Sequence, residues 1–358
     1  MNKKINCLEG IRTIACISVF LCHFRGAFSQ EFSYWGDNTP LRILTAGNVM
    51  VRILFVLSGF VISYKYFAFQ RYEEIPLDIF KRYFRLAPSI LVANIVVHVM
   101  MELGLLYNVQ AGQLSGSESF LAVFNNFEPD IGLCLKEGIL TCYLQGANAY
   151  IGPLWTIAYE YLGSILVLCA IYVCKNDAFR YLFYIIFLCV FSSYYNYFVL
   201  GMLVCDIYCD KDISGWLKQH QHVNNMLFIS ALFIVSLIDI NDDVKATRVL
   251  FAIGMCIFLL TLLSSSWGDK VLGNRFMREG GKLSFAVYIV HWPIIESFSS
   301  KYFIWLAELG YKDGFAVVSN LLLSGLLILV VAYFFNKYVE LLGQTIMKSF
   351  VEKMRKFK

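Results

Sequence analysis

Long apolar stretches separated by short polar ones recur along almost the whole 358-residue chain. A helix needs about 20 mostly apolar residues to cross a bilayer. The pattern predicts ten such spans, at 11–29, 43–64, 86–107, 153–174, 181–192, 196–209, 226–240, 246–266, 283–306 and 315–336. The fifth and sixth spans are short and are joined by the turn-like stretch 192–196. They are therefore either one bent hairpin or two tilted spans.

This pattern predicts an all-α, polytopic integral membrane protein of about ten transmembrane helices. We expect one transmembrane domain, 1–340, followed by a basic cytoplasmic tail, 341–358. The longest stretch between spans, 108–152, contains an apolar segment at 131–144 that suits a surface or a re-entrant position. Loops of this length are usually functional or disordered.

Lysine and arginine residues lie unevenly on the two sides of the predicted membrane. With the N-terminus in the cytoplasm, the ten spans place 22 of these residues on the cytoplasmic side and 7 outside, while Arg52 falls within a span. Cytoplasmic loops characteristically carry the excess of Lys and Arg. We therefore predict that both termini are cytoplasmic.

The composition excludes most soluble functions. The chain is 58% apolar and 16% charged, against roughly 45–50% and 25% in an average soluble domain. A globule of this size cannot bury so much apolar surface in water. The formal net charge of +4 is small, so no nucleic acid or other polyanion is indicated as a partner. The 11 cysteines show no metal-ligand spacing, so no metal site is expected.

Ionisable residues within the predicted spans are candidates for function, because a charge at this depth costs roughly 2.5–3.5 kcal/mol on insertion scales. They are Arg12, His23, Arg52, His98, Glu160 and His291. Arg12 and His23 share one helix face and lie about 16 Å apart along the axis. Histidine is well suited to proton transfer near neutral pH. Alternatively, Arg12 extends to lipid headgroups and His23 bonds a backbone carbonyl.

Glu160 lies about 10 Å from the outer end of the fourth span, at a depth similar to that of His23. A buried carboxylate without a partner is costly. We therefore favour a Glu160–His23 pair. The alternative is a protonated Glu160 bonded to Tyr159 or Tyr161.

Arg82 and Arg85 stand at the cytoplasmic start of the third predicted span. They are suited to charge-assisted, partly bidentate bonds to phosphates, or else they anchor the helix at the membrane surface. Arg52 is expected to face a polar cavity, and His98 to be a satisfied core residue.

Two further motifs have both a structural and a functional interpretation. Ser58 precedes a glycine, and we favour close helix packing over a nucleophile there. His291 begins a His-Trp-Pro sequence whose proline must break a helix hydrogen bond and kink the helix. His291 therefore lines a cavity or bonds the freed backbone.

Five segments together resemble the membrane acyltransferase 3 family, and they are spread over almost the whole chain. In chain order they read LEGIRTIA (8–15) with LCHF (21–24), FVLSGF (55–60), RYFRLAP (82–88), LWTIAYE (154–160) and GKLSFAVYIVHWP (281–293). Three positions depart from the usual pattern of the family: Glu9 replaces an Asp, Arg52 an acidic or other polar residue, and Ala87 a bulkier residue.

The resemblance implies a bacterial inner-membrane O-acyltransferase. Such an enzyme takes an acyl group, most often acetyl, from cytoplasmic acyl-CoA and passes it to a hydroxyl of a glycan or lipid-linked sugar such as O-antigen, capsule or exopolysaccharide. Acetyl-CoA or another acyl-CoA is then a co-substrate and no cofactor is expected to be bound, and the partners are the donor, the acceptor and membrane lipids. The oligomeric state is left open.

Roles for individual residues follow from the resemblance and the layout of the spans. His23 is expected to be the general base, oriented by Glu160, although a covalent acyl-His23 step stays open. Arg12, Arg82 and Arg85 are expected to bind the donor. The candidate cavity-lining residues are Arg52, Ser58, Trp155 and His291.

Two other functions are compatible with a polytopic chain of this composition. A transporter of a lipid-linked sugar or small anion shares the many spans and buried polar residues, but such folds often show internal repeats with broken helices, and none is evident here. An inactive scaffold for glycan assembly would have no need to retain these polar residues.

Overall fold

The computed structural model describes residues 5–28, 44–210, 212–237, 245–311 and 314–356, and all regular structure in these ranges is helical. The α-helices are α1 (Cys7–Phe28), α2 (Gly47–Phe69), α3 (Ile75–Glu102), α4 (Asn108–Ser115), α5 (Ile131–Lys136), α6 (Cys142–Leu144), α7 (Thr156–Val173), α8 (Asp177–Val190), α9 (Tyr195–Asp210), α10 (Asp212–Gln219), α11 (Gln221–Leu237), α12 (Lys245–Ser264), α13 (Gly268–Val271), α14 (Arg275–Ile294), α15 (Ser300–Glu308), α16 (Gly314–Phe335) and α17 (Leu341–Lys356). Short 3-10 helices cover Tyr72–Glu74 and Gly152–Trp155, and π-helical turns cover Glu137–Thr141, Ile295–Ser299 and Asn336–Glu340. The all-α prediction is confirmed.

Several helical stretches have the length and composition of membrane spans. Within the described ranges, six are long and apolar enough to cross a membrane: Cys7–Phe28, Gly47–Phe69, Tyr72–Glu102, Gly152–Val173, Ala246–Ser264 and Gly314–Ser349. The protein is therefore a multi-pass membrane protein. The count of ten spans, the cytoplasmic placement of the termini and the division at residue 340 stay predictions.

Each predicted span coincides with helical structure, but the third one has different bounds. α3 begins at Ile75 rather than near residue 86, so Arg82 and Arg85 lie inside the helix and not at its start. Pro88 also lies within α3. The stretch 181–209 forms two separate helices, α8 and α9, with residues 191–194 between them. Some predicted features fall outside the described residues, namely Lys3, Lys4, Arg42, Lys211, Lys312, Lys358 and the span ends at 29, 43 and 238–240.

Contacts divide the chain into two compact units. Unit 1 consists of Met1–Ser18, Gly36–Ile79 and Tyr159–Lys282. Unit 2 consists of Val19–Trp35, Phe80–Ala158 and Leu283–Lys358. Each unit is described separately below.

In unit 1, helices α2 and α9 touch through their backbones. A Cβ added at Gly59 would lie 2.0 Å from the carbonyl oxygen of Phe198, and one added at Gly201 would lie 2.0 Å from that of Val56. Small residues let membrane helices approach this closely. The packing interpretation is therefore right for Gly59.

In unit 2, the apolar segment 131–144 is helical and runs alongside α3. Asp130 caps its start by accepting hydrogen bonds from the N–H groups of Gly132 and Leu133 at 2.7 and 3.2 Å. Further along, the Tyr83 hydroxyl donates to the carbonyl of Ile139 at 2.8 Å.

A second contact ties the start of this segment to α3. Tyr150 contacts His98 of α3 at 3.3 Å and donates to the carbonyl of Asp130 at 2.7 Å. The segment therefore packs against α3 near His98 and again at Tyr83. Its surface or re-entrant position in the membrane stays a prediction.

The helix that carries His291 is irregular just beyond its proline. Pro293 lies within α14, and the π-helical turn Ile295–Ser299 follows immediately. Proline lacks the N–H that would continue the hydrogen-bond pattern, and π-bulges are frequent at functional sites.

The contact between α2 and α9 leads to a stability prediction. Gly59→Ala and Gly201→Ala should each lower the free energy of unfolding by about 1–3 kcal/mol, the usual range for overpacking. Thermal unfolding of the purified protein in detergent would show the loss as a lower midpoint. Gly215→Ala is the control, because nothing lies within 4 Å of a Cβ added there. Equal midpoints for all three variants would contradict the contact.

Candidate active site

Two histidines from different helices meet in unit 2. Nδ1 of His23, in α1, lies 2.8 Å from Nε2 of His291, in α14. The ring planes differ by only 4°, and the ring centroids are 5.1 Å apart. Unbonded heavy atoms pack at about 3.5 Å or more, so a nitrogen separation of 2.8 Å excludes face-to-face stacking. The rings therefore lie edge to edge and share a hydrogen bond.

The two histidines differ in accessibility and in their other partners. His291 is 1% exposed, whereas His23 is only half-buried. Nδ1 of His291 lies 2.7 Å from the carbonyl oxygen of Tyr288 and 3.2 Å from that of Val287. His291 therefore bonds backbone carbonyls of its own helix, but not that of Ile289, from which Pro293 removes a helix hydrogen bond, and it bonds His23 as well. The partner of His23 is this imidazole rather than a backbone carbonyl.

Aromatic side chains surround the histidine pair. The Trp292 ring lies 5.3 Å from that of His23 at 76°, and the Phe120 ring lies 6.3 Å away. Trp292 in turn packs edge-on against Phe124, with centroids 4.9 Å apart. These contacts restrict rotation of the His23 ring.

The segment that supplies the two phenylalanines is tied to the end of α1. The hydroxyls of Ser115 and Ser117 donate to the carbonyl of Ala27 at 2.8 and 2.7 Å. A Cβ at Gly26 would lie 2.7 Å from the Phe120 ring. This part of the 108–152 loop is therefore fixed against the helix that carries His23.

A buried carboxylate that the sequence analysis missed lies near the histidine pair in the chain. Glu296 is 0% exposed and follows His291 by five residues. Its two oxygens accept hydrogen bonds from Nδ2 of Asn125 at 2.9 and 2.8 Å. Asn125 adopts the left-handed conformation, with φ 49°, which Asn enters more readily than most residues. The sequence does indicate Glu296 as a candidate, because it is an acidic residue inside the apolar stretch 283–306.

Glu160 is bonded to a serine in unit 1. The Ser58 hydroxyl lies 3.0 and 2.9 Å from the two carboxylate oxygens of Glu160. Ser58 is therefore a hydrogen-bonding residue beside the close helix contact at Gly59. The predicted Glu160–His23 pair joins residues of the two units and stays a prediction.

Arg12 and Arg52, also in unit 1, lie in different surroundings. Arg12 forms an ion pair with Glu9 at 3.3 Å, one helical turn away. Arg52 is 2% exposed, donates to the Tyr197 hydroxyl at 3.0 Å and lies over the Tyr194 ring at 5.2 Å. The described surroundings of Arg52 are thus rich in tyrosine.

The two arginines of α3 differ in exposure. Arg82 is half-buried and Arg85 is exposed. Arg85 lies near enough to Glu340 for an electrostatic interaction, and a Cβ at Gly343 would lie 3.3 Å from Pro88. The helical structure around residues 340–343 is therefore packed beside this part of α3.

The remaining predicted site residues lie on helical elements as well. Trp155 ends the short 3-10 helix Gly152–Trp155 and is 38% exposed. His98 contacts the Tyr150 hydroxyl at 3.3 Å, in agreement with its interpretation as a satisfied residue.

A buried ion pair in unit 1 was also missed from the sequence. Arg180 donates to the two oxygens of Asp206 at 2.5 and 3.0 Å, and the Tyr184 hydroxyl donates to the same carboxylate at 3.1 Å. These residues join α8 to α9. We interpret the pair as structural, since none of the predicted site residues takes part in it.

Comparisons with known proteins agree with the resemblance stated above. Residues 5–337 match the acyltransferase 3 family, described as an acyltransferase domain. The chain is also similar to the O-acetyltransferase PaAT-1 of Phomopsis amygdali, with 23% identity over 421 aligned residues that cover 95% of this chain and 83% of that protein. No solved structure matches the chain.

The Ser58–Glu160 contact leads to a second prediction. Ser58→Ala removes a hydroxyl donor from Glu160 and should lower the free energy of unfolding by about 0.5–1.5 kcal/mol, measured as the unfolding midpoint in detergent. Ser58→Thr should retain most of the stability, because it keeps the hydroxyl.

The matched control is Ser63→Ala. The hydroxyl of Ser63 donates only to the carbonyl of Gly59 within the same helix, at 2.8 Å. Its removal should change the midpoint less than Ser58→Ala does. The reverse order would contradict a role for Ser58 in holding Glu160.

Proposed function

This chain belongs to the acyltransferase 3 family and is an acyltransferase of the O-acetyltransferase-like kind, and we propose that it transfers an acetyl group from acetyl-CoA to a hydroxyl of a glycan or lipid-linked sugar. The observation that carries the proposed chemistry is the His23–His291 pair. It combines a half-buried imidazole, which can meet a substrate, with a fully buried one that holds it.

In the proposed reaction, His23 is the general base. The hydroxyl oxygen of the acceptor attacks the carbonyl carbon of the thioester while His23 takes its proton. A C–O bond forms and the C–S bond breaks. The proton then passes to the departing sulfur, which leaves as the free thiol of CoA. Proton transfer of this kind typically contributes 10²–10⁴-fold to the rate.

Glu160 is the second acid–base group of the proposal. A carboxylate stabilises a nearby imidazolium, so Glu160 would favour the protonated form of His23. The Ser58 hydroxyl, bonded to both oxygens of Glu160, limits the orientations that this carboxylate adopts.

Arg12, Arg82 and Arg85 are the proposed donor-binding residues. Coenzyme A carries several phosphates, and guanidinium groups bind phosphate through bidentate, charge-assisted hydrogen bonds. The exposure of Arg85 and the partial exposure of Arg82 support contact with a soluble ligand.

The proposed setting is a bacterial cytoplasmic membrane with both termini in the cytoplasm. Acyl-CoA would then approach from the cytoplasmic side, and the 108–152 loop would contact the acceptor on the other. The name of the fungal relative supports a hydroxyl acceptor. Membership of an acyltransferase family favours this reaction over the transport of a lipid-linked sugar or small anion.

The general-base proposal is tested with the protein reconstituted in lipid nanodiscs and acetyl-CoA labelled in the acetyl group. His23→Ala should lower transfer to the acceptor by about 10²–10⁴-fold. His222→Ala is the control, because His222 is exposed and lies outside the proposed site. Full transfer by His23→Ala would overturn the role of His23.

The acceptor is identified by mass spectrometry of surface glycans from cells that carry or lack the gene. The expected result is the loss of one acetyl mass from one sugar when the gene is absent. Unchanged glycans, together with labelled small molecules in the nanodisc assay, would overturn the glycan acceptor and retain the acyltransferase.

Donor binding gives a separate prediction. Arg82→Gln and Arg85→Gln should each raise the KM for acetyl-CoA by about 10- to 100-fold, the equivalent of a lost hydrogen bond to a charged group. Arg71→Gln is the control, since exposed Arg71 pairs with Glu74 at 3.7 Å and has no proposed contact with the donor. An unchanged KM in both variants would contradict the proposed phosphate contacts.

A further inference from the structure

The hydrogen-bond partners of His291 determine which of its nitrogens carries the proton. A carbonyl oxygen only accepts hydrogen bonds. Nδ1 of His291 faces the carbonyl oxygens of Tyr288 and Val287 at 2.7 and 3.2 Å, so Nδ1 carries the proton. In a neutral imidazole the other nitrogen is then an acceptor. Nε2 of His291 is therefore an acceptor.

This assignment determines the proton position in His23. Its Nδ1 lies 2.8 Å from the accepting Nε2 of His291, so it must donate. The neutral ring of His23 thus has its single proton on Nδ1, and Nε2 keeps a lone pair. Among the residues that the structure describes, none is hydrogen-bonded to this nitrogen.

We propose that His291 is a positioning residue that holds His23 in the Nδ1–H tautomer, so that Nε2 of His23 is the atom that takes the proton of the acceptor hydroxyl. This inference rests on the proposed function, in which His23 is the base. His291 itself is 1% exposed and acts on the substrate through its hydrogen bond to His23.

Two observations argue against the reverse arrangement, in which His291 donates to His23. Such a donor would need protons on both nitrogens of His291 and would be a cation at a site that is 1% exposed. An isolated buried charge is costly. A half-turn of the His23 ring would break the 2.8 Å hydrogen bond, and the edge-on contact with Trp292 resists that rotation.

The arrangement also supports the charged form of the base. When Nε2 of His23 takes a proton, the ring becomes a cation and its Nδ1–H bond to His291 becomes charge-assisted, hence stronger. The carboxylate of a serine-protease triad holds its histidine in the correct tautomer in the same way, and an amide in its place lowers kcat by about 10⁴-fold. Here a neutral imidazole supplies the acceptor.

The tautomer can be measured directly, without catalysis, because the chain has only five histidines. In ¹⁵N NMR of the nanodisc-reconstituted protein labelled at histidine nitrogens, the His23 signals are those that disappear in His23→Gln. We expect them to report the Nδ1–H form, although a free histidine side chain favours the Nε2–H form. An Nε2–H form of His23 in the parent protein would overturn the proposal.

Variants at position 291 separate positioning from packing. His291→Gln keeps an acceptor oxygen at about the reach of Nε2 and should retain most of kcat and the Nδ1–H tautomer of His23. His291→Leu removes the acceptor and should lower kcat at least about 10-fold, short of the roughly 10⁴-fold cost of a wrong tautomer. The KM for acetyl-CoA should be unchanged in both variants. Equal losses of kcat in the two variants would overturn the positioning role.

The experiments also distinguish failure of this inference from failure of the proposed function. Full acetyl transfer by His23→Ala, with the Nδ1–H tautomer present in the parent, would reject His23 as the base while the tautomer assignment stands. Loss of transfer by His23→Ala, with the Nε2–H tautomer in the parent, would retain His23 as a required residue and reject the role of His291.

Discussion

Each polar side chain inside an apolar bundle must find its partner within the protein, and the rest of this structure follows from that constraint. Water is not present at membrane depth to satisfy such groups, and a buried charge without a partner is costly. The bonds His23–His291, Ser58–Glu160 and Arg180–Asp206 each join two helices. The polar pairs therefore contribute, together with close packing, to the choice of neighbouring helices, in addition to any chemistry they perform.

Irregular helix geometry places several of these groups. The π-helical turn Ile295–Ser299 follows Pro293 and carries Glu296, and the 3-10 helix Gly152–Trp155 precedes the helix that carries Glu160. Such irregularities change the direction of side chains without breaking the span. The His-Trp-Pro sequence that begins at His291 is thus followed closely by the turn that carries the buried Glu296.

Apolar length predicted the positions of the helices well but some of their bounds poorly. The second span was predicted at 43–64, whereas α2 runs over Gly47–Phe69. The difference at its end arises because the residues that follow Tyr64 are helical although they include the charged Lys65. Glu296 and Asp206 were missed for the opposite reason, because a single acidic residue changes the average of a long apolar stretch very little.

The sequence by itself determined the all-α class, the positions of the helices, the family and the short set of candidate site residues, because apolar length and motif order are local properties of the chain. Only the tertiary structure decided the partners: His291 for His23, Ser58 for Glu160 and Asn125 for Glu296. These residues lie 268, 102 and 171 positions apart along the chain. No local pattern specifies which face of one helix meets another, since that choice depends on packing and hydrogen bonding across the whole bundle.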